Sequence, residues 1–252
     1  MSQNLLLGKK MIKILKSIFI ALALVTVANA ATKISQNEIK EIESLKLFQG
    51  AQVKISQGYD AGSVYVLNVT VRGKADKIFL TKDKKYLISG DVISTQNGQP
   101  LEVPVDIAIA KDKEAFTFGK GKDEYVLFTD PECPYCKKFE SYFHQIEDKV
   151  KIKVFFFPLD FHKNAKDISL YIMSQKSYED KVKAMTTTTK DSAEFINRKI
   201  DAKELEKLKA SLADQMLIAN KLGIRGTPSL FDTKGNKVSW AAMLQGYGIT
   251  VK

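Results

Sequence analysis

The chain has 252 residues, 44% of them hydrophobic and 27% charged, with two cysteines and a formal net charge of +10. That balance excludes disordered, collagen-like and disulfide-stapled scaffolds and leaves enough apolar sequence to bury real cores. Basic residues are interspersed with acids, as in Lys82-Asp83-Lys84-Lys85 and Lys120-Gly121-Lys122-Asp123-Glu124, so the excess charge reads as a solvated surface, not a nucleic-acid-binding block.

Lys9, Lys10, Lys13 and Lys16 precede an apolar stretch over 18–28 that ends in Ala28-Asn29-Ala30. A basic region, a short apolar core and a small-x-small site make a signal peptide over 1–30, cleaved after Ala30. The apolar stretch is too short to span a bilayer, and no later run reaches the ~18 residues that spanning needs. Removing the leader takes away four Lys and no acid, leaving a charge of about +6. An exported chain meets an oxidising compartment where thiols normally pair. Only Cys133 and Cys136 are present, and the loop they close is too short to restrain the chain appreciably. The pair therefore points to chemistry.

Residues 31–95 read as a small N-terminal unit. Ser35-Gln36-Asn37-Glu38 is a capping-box pattern, and Ile39 and Ile42 then recur on one side, which predicts a helix over 36–48. Strands follow: Ala51, Val53 and Ile55 alternate with polar residues, Tyr65, Leu67, Val69 and Val71 alternate across 63–72, and residues 78–80 and 86–88 flank a turn at Lys82-Asp83-Lys84. A polar, Gly/Pro-punctuated stretch begins near Thr95, and a linker is expected over 96–122.

The pattern then changes. Tyr125-Val126-Leu127-Phe128-Thr129 is a short apolar strand, Phe139, Tyr142, Phe143, Ile146 and Val150 recur at helical spacing, and 152–157 is a second apolar strand. The order is strand, helix, strand, with the cysteines at the first joint. Residues 160–222 read as a helical insertion, broken by the Thr186–Thr189 run. A hairpin is expected over 229–239, and Trp240 is expected to pack against the sheet.

In Cys133-Pro134-Tyr135-Cys136, Cys133 falls at the helix cap and Pro134 at the first helical position, where a missing N–H costs nothing. Free backbone N–H groups and the positive end of the helix dipole then favour the Cys133 thiolate. If the thiol pKa falls from ~8.5 to ~6, the thiolate fraction at pH 7 rises from about 3% to about 90%, and only the thiolate attacks disulfides. Cys136, one turn inside the helix, is placed to resolve a mixed disulfide. Asp130 and Glu132 are candidate proton-transfer groups or solvated partners of the helix dipole. Zinc needs about four ligands, and His144, the nearer of the two histidines, lies three helical turns from Cys133 with His162 further on. Haem attachment needs a His where Lys137 stands. A passive disulfide does not explain the position at a strand-to-helix joint. No metal or cofactor is expected.

The run Phe128-Thr129-Asp130-Pro131-Glu132-Cys133-Pro134-Tyr135-Cys136-Lys137-Lys138-Phe139, followed by a helical insertion and then Leu222-Gly223-Ile224-Arg225-Gly226-Thr227-Pro228, resembles periplasmic DsbC/DsbG-type thiol:disulfide interchange proteins. The resemblance implies an α+β / α/β architecture: a small helix-plus-antiparallel-sheet, cystatin-like dimerisation domain over 31–95, a linker over 96–122, and a thioredoxin fold over 123–252 with the insertion. It implies Cys133 as nucleophile, Cys136 as resolving thiol, and Thr227-Pro228, with a cis bond, facing them. A proline there removes a competing donor and leaves the Thr227 backbone free to pair with an extended substrate segment.

It also implies a periplasmic homodimer that reduces or reshuffles wrong disulfides in exported proteins and is kept reduced by a DsbD-type membrane donor, with no nucleic acid among its partners. Two alternatives stay open: a dithiol oxidase, and a chaperone-like dimer whose cleft matters more than its sulfurs. Tyr135 supplies no cation beside the thiolate, which favours a potential nearer the ~−180 mV of isomerases than the ~−120 mV of the strongest oxidant. Two departures stand out. The linker holds Pro100 and Pro104 and no clean helix where the family has a helical rod, and the closing helix is expected to shorten to about 239–247.

Overall fold

The computed structural model describes residues 31–95, 98 and 100–251, so the expected signal peptide lies outside it. Among the described residues there are two five-stranded sheets. The N-terminal sheet contains β1 (Thr32–Lys33), β2 (Val53–Asp60), β3 (Val64–Val71), β4 (Lys74–Thr81) and β5 (Leu87–Ile88), in that order and antiparallel throughout. Between β1 and β2 lie α1 (Gln36–Glu43) and α2 (Lys46–Gly50). Ser35 caps α1, its side chain accepting from the Glu38 N–H at 3.2 Å. The single helix predicted over 36–48 is broken because Ser44 turns its hydroxyl back onto the Glu41 carbonyl at 2.6 Å and Leu45 becomes extended. At Arg72-Gly73 both φ angles are positive, which gives the two-residue hairpin whose twist matches β3 and β4.

Alternation along β3 sends Tyr65, Leu67 and Val69 to the helices, where they meet Ile39, Ile42 and Phe48. The opposite face is also covered: Tyr59, Val66 and Phe79 pack with Val103, and Val92 and Leu101 lie against them. Much of the expected linker is therefore bound. Val105 N–H donates to the Gly235 carbonyl at 2.9 Å. Gly235 has φ +82, and a Cβ there would come within 2.0 Å of Val105 O, so this contact needs glycine.

The second sheet runs β10-β9-β7-β8-β6, from β6 (Phe116–Phe118), β7 (Asp123–Thr129), β8 (Val150–Phe156), β9 (Ser229–Asp232) and β10 (Lys237–Val238). β7 and β8 are parallel and the other pairings antiparallel. Here the structure corrects the boundary expected at 122/123. β6 lies inside the predicted linker and pairs with β8, and Ala110 is buried in the same C-terminal core. A three-residue strand is too short to leave a periodic signal.

Helices cover both faces of this sheet. On one face Leu127, Ile152, Val154 and Phe156 meet Phe139, Phe143 and Ile146 from α3 (Pro134–Glu140) and α4 (Phe143–Ile146). On the other, Val126, Phe128 and Phe155 meet Ile218, Ala219 and Leu222 at the end of the long helix that precedes β9. Burial on both faces is why these strands read as continuous apolar runs. The expected insertion folds as α5 (Ala165–Ser174), α6 (Tyr178–Thr187), α7 (Ala193–Ile196) and α8 (Ala202–Lys221). The closing helix, α9 (Trp240–Gly246), is short as expected. Trp240 leans on Phe139 of α3, ring centroids 5.4 Å apart, in the layer above the sheet.

The two units touch beside the loop that ends at Pro228. Arg225 pairs with Asp76 of β4. Glu102 pairs with Lys77 of β4 at 2.8 Å and with Lys237 of β10 at 3.3 Å. These contacts border a cavity of about 690 Å³ whose walls include Asn68, Thr70, Asp76, Arg225, Thr227 and Pro228.

Candidate active site

β7 ends at Thr129, a tight turn follows, and α3 begins with Pro134 at its first position and Cys133 as its cap residue. The Cys133 N–H donates to the Asp130 carbonyl at 3.0 Å, and the Cys133 carbonyl accepts from the Lys137 N–H at 3.0 Å. Cys136 lies one turn along, fully buried, with its sulfur 3.5 Å from the Asp130 N–H. Both thiols are free. Cys133 is itself only 5% exposed. It lies under the Thr227 loop, its Sγ 3.3 Å from the Thr227 carbonyl oxygen. Tyr135 is the solvent-facing member of the motif, 69% exposed. The Thr227–Pro228 peptide bond is cis.

The surroundings drive the two sulfurs apart. Cys133 is pulled down to about 5, first by the hydrogen bond from the Cys136 thiol, then by the Cys136 and Tyr135 backbone N–H groups of the helix start and by the Thr227 side chain, all against the cost of burial. Burial pushes Cys136 up, and its hydrogen bond to Cys133 adds to that. The arrangement favours the thiolate on Cys133 and the protonated thiol on Cys136.

Beneath them is a carboxylic acid absent from the expected site residues. Glu140 is buried and pushed up to about 7 by that burial. Its Oε1 accepts from the Thr129 hydroxyl at 2.7 Å, and its Oε2 is buried with no hydrogen-bond partner among the described residues, 3.7 Å from Lys137 Nζ. Thr129 in turn bonds the Cys136 side chain. The signal was available: an acid in the inward stripe Cys136, Phe139, Glu140, Phe143 breaks the apolar pattern of a core-facing helix.

Asp130 and Glu132 lie beside the motif, but their carboxylates bond the 159–164 loop. Asp130 accepts from the N–H groups of Glu132 at 2.8 Å and Leu159 at 2.7 Å and contacts His162 Nδ1 at 2.8 Å. Glu132 takes both the backbone N–H and the side-chain amide of Asn164, at 2.7 and 2.8 Å. His144 is exposed on α4, away from this cluster.

The thioredoxin-like domain family matches residues 110–247. The probable thiol:disulfide interchange protein DsbC of Bordetella avium (strain 197N) is 26% identical over 177 residues, covering 62% of this chain. The chain spans 55% of that relative's length. Among solved structures, a disulfide interchange protein from Neisseria gonorrhoeae is 24% identical over 51% of this chain and 85% of its own, with a TM-score of 0.39. A thioredoxin-like oxidoreductase from Silicibacter pomeroyi DSS-3 is 18% identical over 57% and 95%, with a TM-score of 0.44. With more than half its length matched, the chain belongs to the thioredoxin-like family.

Proposed function

We propose that this is an exported, periplasmic thiol:disulfide oxidoreductase that reduces or reshuffles incorrect disulfides in other exported proteins. The observation that carries the reading is the division of labour in the dithiol: Cys133, lowered to about 5, sits 3.3 Å from the Thr227 carbonyl, while Cys136 is raised behind it. A value of about 5 lies between the ~3.5 of the strongest dithiol oxidant and the ~7 of thioredoxin. The leader over 1–30 supports export, and the similarity to a DsbC-named relative supports the substrate class.

The Cys133 thiolate attacks one sulfur of a client disulfide, forming a mixed disulfide and releasing the other client sulfur as thiolate. In isomerisation a client thiolate then attacks the mixed disulfide at the client's own sulfur, forming a new client disulfide and returning Cys133 as thiolate. In reduction Cys136 loses its proton and attacks Cys133, the client leaves as thiolate and is protonated by solvent, and the Cys133–Cys136 disulfide must be re-reduced by a two-electron dithiol donor of the DsbD type. Glu140, reached from Cys136 through the Thr129 hydroxyl, accepts that proton in this reading. Thr227 offers its backbone to an extended client segment. The N-terminal unit over 31–95 serves as the homodimerisation domain.

The test is refolding of a scrambled multi-disulfide substrate beside a reduced, unfolded one. The proposal expects faster recovery from the scrambled form and loss of that recovery with C133A. Faster recovery from the reduced form assigns an oxidase instead, and recovery undiminished in C133A removes the redox reading.

A further inference from the structure

Asp130 is fully buried and holds the cysteine motif through its main chain. Its carbonyl accepts from the Cys133 N–H at 3.0 Å, and its N–H meets Cys136 Sγ at 3.5 Å. Among the described residues its carboxylate has three contacts: Oδ1 accepts from the Glu132 N–H, and Oδ2 accepts from the Leu159 N–H and meets His162 Nδ1 at 2.8 Å. A carboxylate has no proton to give, so the imidazole donates from Nδ1. His162 is the one side chain among these three donors.

We infer that His162 is a positioning residue for the dithiol: by donating from Nδ1 to the buried Asp130 carboxylate, it fixes the residue whose main chain holds both cysteines. This rests on the redox reading of Cys133 and Cys136. The role is separable from the folding of its loop. The Leu159 N–H bond and the two bonds from Glu132 to Asn164 anchor that loop without the imidazole, and the His162 N–H donates to the Leu159 carbonyl at 2.9 Å.

A buried carboxylate that loses a side-chain donor is costly and shifts toward other partners. Asp130 then loosens its hold on the Cys133 N–H and on the Cys136 sulfur. The helix start shifts with it, and the Cys136 thiol and the Cys136 and Tyr135 N–H groups that favour the Cys133 thiolate lose their alignment.

The experiment measures the iodoacetamide alkylation rate of Cys133 from pH 4 to 9 in the reduced full-length protein and its H162A, H162N, H162Q and D130N variants, with glutathione exchange of the wild type in parallel. Asn carries an amide nitrogen near the place of Nδ1, whereas Gln carries it one carbon further out. H162A and H162Q are expected to lower alkylation at pH 6 about fivefold, with a smaller loss at pH 9, while H162N stays within about twofold of wild type. In the D130N background, H162A is expected to add nothing. Wild-type profiles in H162A, equal losses in H162N and H162Q, or an undiminished H162A loss on top of D130N overturn the inference. If H162A does not fold, the Asn/Gln contrast decides. Absence of glutathione exchange in the wild type removes the redox reading, while the alkylation profiles still judge His162.

Discussion

Thr129 donates its hydroxyl to Glu140 at 2.7 Å, joining the last residue of β7 to the first helix after it in the interior beneath the cysteines. The bond satisfies one carboxyl oxygen. The other has no hydrogen bond among the described residues and only Lys137 Nζ near it, at 3.7 Å, and burial without full compensation is what keeps the proton on this acid up to about 7.

Glu140 therefore gives the reduced protein a signed pH dependence. Its folded value of about 7 lies above the ordinary 4.5, so the folded state holds a proton that the unfolded chain releases. Stability attached to this group is present below pH 4.5, falls as pH rises through 7, and is level above that. At 1.36 kcal/mol per pH unit the loss has a ceiling of about 3 kcal/mol. E140Q cannot ionise. It is expected to match wild type near pH 4 and to be more stable by about 1–3 kcal/mol at pH 8, read from denaturant midpoints. Equal midpoints at pH 8 would show that Glu140 ionises freely in the fold.

The same variant separates two roles of the acid. If Glu140 takes the Cys136 proton, E140Q slows collapse of a mixed disulfide on Cys133 at neutral pH, while the initial attack by Cys133 keeps its rate. Stopped-flow reduction of an aromatic disulfide resolves these phases. Slowing confined to the first phase would assign Glu140 to the Cys133 thiolate instead.

The Cys136 thiol makes the largest single contribution to lowering Cys133. C136A is expected to raise the Cys133 titration midpoint from about 5 by about one pH unit or more, followed by thiolate absorbance in the ultraviolet. The helix-start N–H groups remain in that variant, so Cys133 stays below an ordinary thiol. An unchanged midpoint would transfer the whole effect to the helix start.

What was legible in the sequence follows from how local each signal is. Cys133 as a cap with Pro134 behind it is a four-residue statement, and both residues fall there. The alternation of Tyr65, Leu67 and Val69 marks a half-covered strand, and it is one. The cover on the opposite face comes from Val103, thirty-odd positions away across a polar stretch, and no period connects them. β6 is three residues long and exists because β8 offers it an edge. The same distance rule governs the site. Asp130 and Glu132 stand next to the cysteines in sequence, yet their carboxylates bond a loop some thirty residues on, while the acid beneath the sulfurs sits in the helix after them.

The Thr227 side chain is buried beside the sulfurs and acts on both in the direction that lowers them. T227V keeps the shape and removes the donor. It is expected to raise the Cys133 midpoint by less than C136A does, since the Cys136 thiol contributes more, and to leave stability within about 1 kcal/mol. The backbone carbonyl is untouched, so a peptide client should show a changed rate at unchanged KM. A higher KM with an unchanged titration would place the hydroxyl in client binding instead.

The hold between the two units can be tested through charge. Arg225 pairs with Asp76 three positions before Pro228, and Glu102 takes Lys77 on one unit and Lys237 on the other. Arg225 is 72% exposed, and exposed pairs of this kind are worth about 0–1 kcal/mol each, so D76N and E102Q should barely change either unit's stability. Their combination should loosen how the units sit. At 1 M salt, where the screening length is ~3 Å, the wild type should loosen likewise. Small-angle scattering of the wild type and the D76N/E102Q variant at low and high salt reads this as a larger radius of gyration, already present at low salt in the variant. A radius indifferent to both changes would show that the Val105–Gly235 strap and the packing around Val103, not the ion pairs, set the arrangement beside the Thr227 loop.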